Sequence, residues 1–155
     1  MSQKRKRFES PHAARARARK RALQALYQWE ITRADASDIF QQFVEEQDMA
    51  KVDVEYFKRL LTHVVARHEQ LDNALSEFMD RAPAEADLLE LATLRLGAYE
   101  LMEVIEIPYK VVINEAVNLA AQFGSDQSPT YVNAVLDKAA GKWREIEVQA
   151  AASTR

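Results

Sequence analysis

The stretch LLELATLRLGAYELMEV at residues 88–104 decides the fold of this chain. On a helical wheel its apolar side chains cover most of the circumference, which is the pattern of a helix enclosed by other helices. A narrow polar strip interrupts them, formed by Glu90, Thr93, Gly97 and Glu100. We therefore predict a central helix that other helices cover, with this strip as its one exposed side.

Arg95 lies on the apolar side of the predicted helix, where an unpaired charge is strongly destabilising. We expect a carboxylate partner, with Glu115 as the first candidate and Asp137 as the second. The alternative is that the guanidinium reaches solvent along its methylene stem. Gly97 costs about 1 kcal/mol relative to alanine within a helix. Either another backbone or a partner approaches closely there, or the position simply tolerates glycine.

The composition is that of a globular protein with few turns. Of the 155 residues, 48% are hydrophobic and 29% are charged, which suffices for one domain with its own core. Three glycines and four prolines are too few for the many tight turns of a β-sandwich or β-barrel. The prolines all lie where a helical pattern begins, at Pro11, Pro83, Pro108 and Pro129.

These patterns predict an all-α protein, a compact bundle of about six to seven helices. Residues 13–141 are expected to form its single domain. Ala82-Pro83 is the best internal boundary, because proline favours the first turn of a helix and disfavours helical backbone just before it. The domain is thus expected to have two packed helical halves, at residues 13–82 and 83–141.

Both ends of the chain are expected to lie outside this domain. Residues 1–12 are polar and charged for most of their length, which predicts a disordered basic tail. Gly141 is predicted to end the last clear helix. Residues 142–155 are therefore expected to be frayed or disordered.

Several kinds of chemistry have no support in the sequence. The chain has no cysteine, which excludes disulfides, thiolate catalysis and cysteine-ligated zinc and fits a reducing compartment. No glycine-rich phosphate loop occurs, and the spacing of His63 and His68 does not place both on one helix face. No apolar run is long enough to span a membrane. We expect a cytoplasmic protein with no catalytic residues, no metal and no cofactor.

The net charge of −3 conceals a strong asymmetry. Residues 1–21 contain nine basic residues and one acid, so this segment carries +8 and the rest of the chain carries −11. A local basic surface matters more for nucleic-acid binding than the total charge does. The segregation therefore points to a nucleic-acid partner.

The basic residues continue into the first predicted helix. Five lie within seven positions, at Arg15, Arg17, Arg19, Lys20 and Arg21. Guanidinium groups suit phosphate recognition because their donors form a planar fork. Tyr27 follows on the same helix. The alternatives are a solvated amphipathic helix and attachment to a membrane surface, but the apolar face is mostly alanine and would insert little into lipid.

Four segments together carry a family resemblance. They are RARARKRALQALYQWE at 15–30, LRLGAYEL at 94–101, IPYKVVINEAVNLAAQFG at 107–124 and YVNAVLDKAA at 131–140. In this order and spacing they resemble the NusB family of bacterial transcription antitermination factors. The resemblance covers nearly all of residues 15–140.

The resemblance implies an all-helical fold and binding of boxA RNA in nascent transcripts. It also implies a heterodimer with NusE, a small-subunit ribosomal protein, within the transcription elongation complex. Its matching positions imply RNA contacts at Arg15, Arg17, Arg19, Tyr27, Gln127, Thr130 and Tyr131. From the residues alone, Tyr131 is either a core-edge residue or a stacking platform for a base. The resemblance places Glu90 on the side facing NusE, and we expect Gly97 and Glu100 on the same strip to contribute.

Two other function classes remain. The same helical module is similar to the N-terminal domain of certain ribosomal-RNA cytosine methyltransferases, but these 155 residues contain no cysteine and no methyl-donor domain, so we expect no such enzyme. A pure protein-interaction module is the second alternative, and an RNA titration separates it from an RNA-binding protein.

Overall fold

A computed structural model describes residues 10–153, and within that range every regular element is helical. There are eight α-helices in this range, so the all-α prediction is confirmed with a helix count close to the expected one. They are α1 (Pro11–Thr32), α2 (Ala36–Glu46), α3 (Val54–Ala66), α4 (His68–Ser76), α5 (Leu88–Glu103), α6 (Tyr109–Phe123), α7 (Ser128–Trp143) and α8 (Glu145–Ser153), with a 3₁₀ turn at Pro83–Glu85.

The chain divides into two compact units, one ending at Ala66 and the other beginning at Arg67. The expected boundary was Ala82-Pro83, so α4 belongs to the second unit rather than the first. The reason is that α4 packs against α5 and contributes Leu71 and Leu75 to the buried core. Most of the predicted N-terminal tail, residues 1–9, lies outside the described residues.

In the first unit, α1 packs against α3, and α2 contacts both. Ser10 begins α1 by accepting a 3.1 Å hydrogen bond from the Ala13 amide, and Pro11 occupies the first turn as predicted. The Phe40 and Phe43 rings of α2 lie 5.5 and 5.7 Å from the Phe57 ring of α3. This aromatic cluster fixes α2 against α3.

In the second unit, α5 is the central helix, and α4, α6 and α7 all pack against it. Every residue from 90 to 101 is buried, including the strip that was expected to be exposed. That expectation was wrong because α7 covers the strip. A Cβ placed on Gly97 would lie 2.6 Å from Leu136 Cδ1, so glycine makes room for the α7 side chain.

Arg95 has the carboxylate partner that the sequence required, but it is neither of the proposed candidates. Its Nε and Nη2 donate to Asp72 Oδ1 and Oδ2, both at 2.7 Å, in a two-pronged ion pair. Arg95 is only 5% exposed, so the alternative of a solvent-reaching side chain was also wrong. Glu115 was the first candidate because it follows the short connection at residues 106–110, but the partner comes from α4, which packs against α5.

The C-terminal segment is helical where a frayed tail was expected. Helix α7 continues past Gly141 to Trp143, and α8 follows over Glu145–Ser153. Gly141 needs no special backbone angle and an added Cβ would meet nothing within 4 Å, so it does not end the helix. The Trp143 ring instead packs edge-on against Phe78 at 5.6 Å.

Candidate nucleic-acid interface

The basic residues of α1 divide into two groups with different surroundings. Arg15 and Arg19 lie over the Tyr56 ring of α3, with their guanidinium carbons 4.4 and 5.7 Å from its centroid. Arg15 Nε also lies 3.9 Å from Asp53 Oδ2. Arg19 is 3% exposed. These contacts join α1 to α3 through cation–π interactions, so Arg19 offers little surface to a ligand.

Arg17, Lys20 and Arg21 form the second group, which lines a surface pocket of about 260 Å³. The opposite wall is the loop between α2 and α3, with Asp48 and Lys51 among its lining residues. Four cations and one carboxylate thus line the pocket, for a formal charge of +3. The arrangement is a concentrated cationic surface of the kind that attracts phosphate groups.

Two of these arginines also hold the loop. Arg17 Nη1 donates to the Lys51 carbonyl and Arg21 Nη2 donates to the Asp48 carbonyl, each at 3.4 Å. The Asp48 carboxylate accepts a 3.0 Å hydrogen bond from the Ala50 amide within the loop itself. The Asp48 carboxylate in the pocket therefore stabilises the turn of its own loop.

Lys51 was missed by the sequence analysis. It is the single basic residue in QDMAKVD at 47–53, and no sequence spacing connects it with the basic residues of α1. Its place in the pocket follows from the loop folding back on α1, which a helical period cannot show. Tyr27, in contrast, is 40% exposed on α1. It lies ten residues after Arg17, or about 15 Å along the helix at 1.5 Å per residue.

The second unit contains the other predicted RNA contacts. Gln127 and Thr130 are exposed at the start of α7, and Tyr131 is half-buried beside them. The Arg81 guanidinium lies over the Tyr131 ring, 4.6 Å from its centroid. Arg81 in turn donates to both oxygens of Asp80, at 2.9 and 3.3 Å. One face of the Tyr131 ring is thus already covered by a cation.

Asp80, Arg81 and Tyr131 form a cluster (the Tyr131 cluster) whose mutual contacts shift the pKa values of its members. The hydrogen bond from Arg81 holds the pKa of the Asp80 carboxyl below its usual range. Burial raises the pKa of the Tyr131 hydroxyl, while the charge of Arg81 opposes that rise. Arg81 was missed by the sequence analysis because it precedes the break at Ala82-Pro83 in a stretch without a period. Tyr131 is therefore a neutral, partly covered aromatic ring at neutral pH.

The three residues predicted to bind a protein partner are inside the second unit. Ser128 Oγ donates to Glu90 Oε2 at 2.6 Å, which ties the start of α7 to α5. Glu90 is 7% exposed and Glu100 is 2% exposed. Gly97 lies against Leu136. None of them presents an accessible surface within this unit.

Two kinds of site are absent from the described part of the chain. No group of three or more histidine, aspartate or glutamate side chains in residues 10–153 is arranged to hold a metal ion. Over the same residues, no helix combines the length and the apolar character needed to cross a membrane.

The fold and these features define an all-helical protein with a cationic pocket on its first helix. Residues 16–141 match the family model described as the NusB family. The chain belongs to the NusB family. It is 52% identical over 132 residues to the transcription antitermination protein NusB of Idiomarina loihiensis, covering 85% of this chain and 95% of that one.

Other relatives agree with this assignment. The transcription antitermination protein NusB of Xanthomonas axonopodis pv. citri is 47% identical over 133 residues, covering 86% of this chain and 84% of that one. The solved structure of T. maritima NusB matches with a TM-score of 0.76 and 26% identity, over 90% and 98% of the two chains. A structure described as antitermination factors NusB and NusE in complex with double-stranded RNA matches with a TM-score of 0.69 and 25% identity, over 79% and 92%.

Proposed function

We propose that this protein is an RNA-binding transcription antitermination factor that acts together with NusE. The observation that carries the proposal is the pocket on α1, where four cations surround a space of about 260 Å³. The curated relatives are named as transcription antitermination proteins. A structural relative is described in a complex with NusE and RNA. This support leads us to boxA RNA as the ligand and to the elongation complex, in the cytoplasm, as the place of action.

The side chains have distinct parts in this proposal. Arg17, Lys20 and Arg21 attract RNA phosphates, and their binding releases counterions from the RNA. Tyr27 and Tyr131 offer ring faces to unpaired bases. Exposed polar groups at the start of α7 complete the set, at Gln127 and Thr130. None of these steps requires bond making or breaking, so we assign no enzymatic activity and no cofactor.

The contact with NusE is proposed at the beginning of α5. Leu88 there is 41% exposed and is the apolar side chain available to a partner. Glu90, Gly97 and Glu100 are buried, so we assign them to support of the α5 surface rather than direct contact. Glu90 does so through its hydrogen bond with Ser128.

A gel-shift titration with boxA RNA and scrambled RNA of the same length, with and without NusE, tests the proposal. We expect boxA RNA to bind more tightly than scrambled RNA, and NusE to increase that difference. An affinity for NusE with no RNA binding under any condition would instead favour a protein-interaction module. Equal affinity for both RNAs, with and without NusE, would contradict boxA recognition.

A further inference from the structure

We propose that the pocket between α1 and the loop at residues 47–53 is a preformed site for a single phosphate group, in which Lys51 acts with Arg17 and Arg21. This inference deepens the proposed function, because a phosphate of the RNA backbone is its first expected occupant. Lys51 is new to the site, since no feature of the sequence indicated it.

The loop is held in place before any ligand binds. The Asp53 amide donates to the Ala14 carbonyl of α1 at 3.1 Å. Asp53 then begins α3 by accepting a 3.1 Å hydrogen bond from the Tyr56 amide. Within the loop, the Val52 amide donates to the Met49 carbonyl at 3.2 Å. A loop fixed in this way loses little conformational entropy on binding, which favours affinity.

The donors of Arg21 are only partly used. Arg21 Nη1 donates to Gln24 Oε1 at 3.3 Å and Nη2 donates to the Asp48 carbonyl at 3.4 Å, both near the upper limit for a hydrogen bond. A phosphate offers several oxygen acceptors in the geometry that a guanidinium fork prefers. The pocket therefore matches an oxyanion with more than one oxygen.

The dimensions of the pocket limit what it holds. Its volume of about 260 Å³ is below the 300–1,000 Å³ typical of sites for whole small molecules. A phosphate group fits within it while the remainder of a ligand stays outside. The simplest competing explanation is that the cations only fix the loop. Lys51 distinguishes the two, because Lys51→Gln keeps the backbone carbonyl that holds Arg17 and removes only the side-chain charge.

The test compares Lys51→Gln with Lys138→Gln, which removes the same charge from an exposed position on α7. RNA affinity is measured between 50 and 200 mM salt for each full-length variant. Loss of one phosphate contact should lower the slope of log K against log salt by about 0.7 for single-stranded RNA. The loss of affinity over this salt range should then be about 2.6-fold smaller in Lys51→Gln than in the wild type. Lys138→Gln should match the wild type.

A second measurement uses inorganic phosphate alone, followed by amide chemical shifts of the loop at constant ionic strength. Saturable shifts that Lys51→Gln abolishes would show that the site also takes free phosphate. Their absence, together with the altered RNA slope, would restrict the site to phosphates of RNA. Phosphate binding without any RNA binding would contradict the proposed function and leave the phosphate site standing. Wild-type behaviour of Lys51→Gln in both measurements would overturn the inference.

Discussion

Arg144 and Glu147, one helical turn apart, join the end of one helix to the beginning of the next. Arg144 Nη1 donates to Glu147 Oε1 at 2.6 Å, and Glu147 Oε2 accepts a 2.8 Å hydrogen bond from the Tyr109 amide at the start of α6. The buried guanidinium also donates to four carbonyls in and just after the last turn of α5. These acceptors are Glu100 (3.2 Å), Leu101 (2.7 Å), Val104 (3.1 Å) and Ile107 (3.0 Å).

This pair satisfies groups that helix ends otherwise leave without partners. A cation lies at the negative end of α5 and a carboxylate lies at the positive end of α6, which is the favourable arrangement for both helix dipoles. Replacing Arg144 with Met would remove the donor while its acceptors stay buried. We expect Arg144→Met to lower the free energy of unfolding by about 3–5 kcal/mol.

Chemical denaturation measures this effect, with Lys142→Gln as the control. Lys142 is close in sequence but forms an exposed ion pair with Glu77 at 2.8 Å. Such pairs contribute about 0–1 kcal/mol. Arg144→Lys should recover only part of the loss, because a single ammonium cannot reach all of these acceptors. Equal stability of Arg144→Met and Lys142→Gln would contradict a capping role.

The Arg95–Asp72 pair gives a second stability prediction. Arg95→Met leaves the Asp72 carboxylate without its two hydrogen bonds, and we expect a loss of about 3–5 kcal/mol. Arg95→Met combined with Asp72→Asn should recover part of that loss, since the uncompensated charge is gone. The matched double variant with Glu115→Gln should recover nothing. Additive losses in the Asp72 combination would show that the pair is energetically unimportant.

The sequence was sufficient for features that depend on helical periodicity. The apolar circumference of residues 88–104 required a covered helix, and the proline at position 11 marked a helix start; both are observed. Partners across the tertiary fold were not accessible in this way. The sequence pattern did not single out Asp72, and Lys51 and Arg81 lie in segments with no period. Their roles depend on where a loop or a neighbouring helix folds back.

The two groups of arginines on α1 should respond differently to substitution. Arg17→Ala with Arg21→Ala should weaken RNA binding and lower the salt slope by about 1.4, since two phosphate contacts are lost. Arg19→Ala should mainly lower the unfolding temperature, because Arg19 is buried against Tyr56. Unchanged RNA affinity and slope in the double variant, measured by gel shift from 50 to 200 mM salt, would remove α1 from the interface.

The ionisation of the Tyr131 hydroxyl should depend on folding. Burial raises its pKa above the ordinary value of 10.0, so its neutral form is favoured by folding. This contribution to stability is complete below pH 10.0 and is lost as the pH rises through the raised pKa. The difference in alkaline absorbance between wild type and Tyr131→Phe isolates this ionisation. A transition at or below pH 10.0 would contradict the proposed burial effect.

Two substitutions at Tyr131 separate the contribution of the ring to RNA affinity from that of the hydroxyl. Tyr131→Ala should reduce RNA affinity by about 1–3 kcal/mol, whereas Tyr131→Phe should have little effect because stacking uses the ring face. Arg81→Ala exposes the ring face that the guanidinium now covers. It therefore tests whether the cation assists or blocks the base. A lower melting temperature in Tyr131→Ala with wild-type RNA affinity would assign the residue to the core.

Glu90 distinguishes direct contact with NusE from support of a nearby surface. Its Oε2 accepts the hydrogen bond from Ser128 at 2.6 Å, and the side chain is nearly inaccessible. Glu90→Gln keeps an acceptor for Ser128 and removes the charge, whereas Glu90→Lys removes the acceptor and introduces a buried cation. We expect Glu90→Gln to retain NusE affinity and stability, and Glu90→Lys to weaken NusE binding and lower the unfolding temperature together. Leu88→Ala, at an exposed position, should weaken NusE binding without that change in stability. Surface plasmon resonance without RNA, combined with thermal unfolding, measures both quantities. A large loss of NusE affinity in a fully stable Glu90→Gln variant would instead show that NusE contacts the Glu90 carboxylate directly.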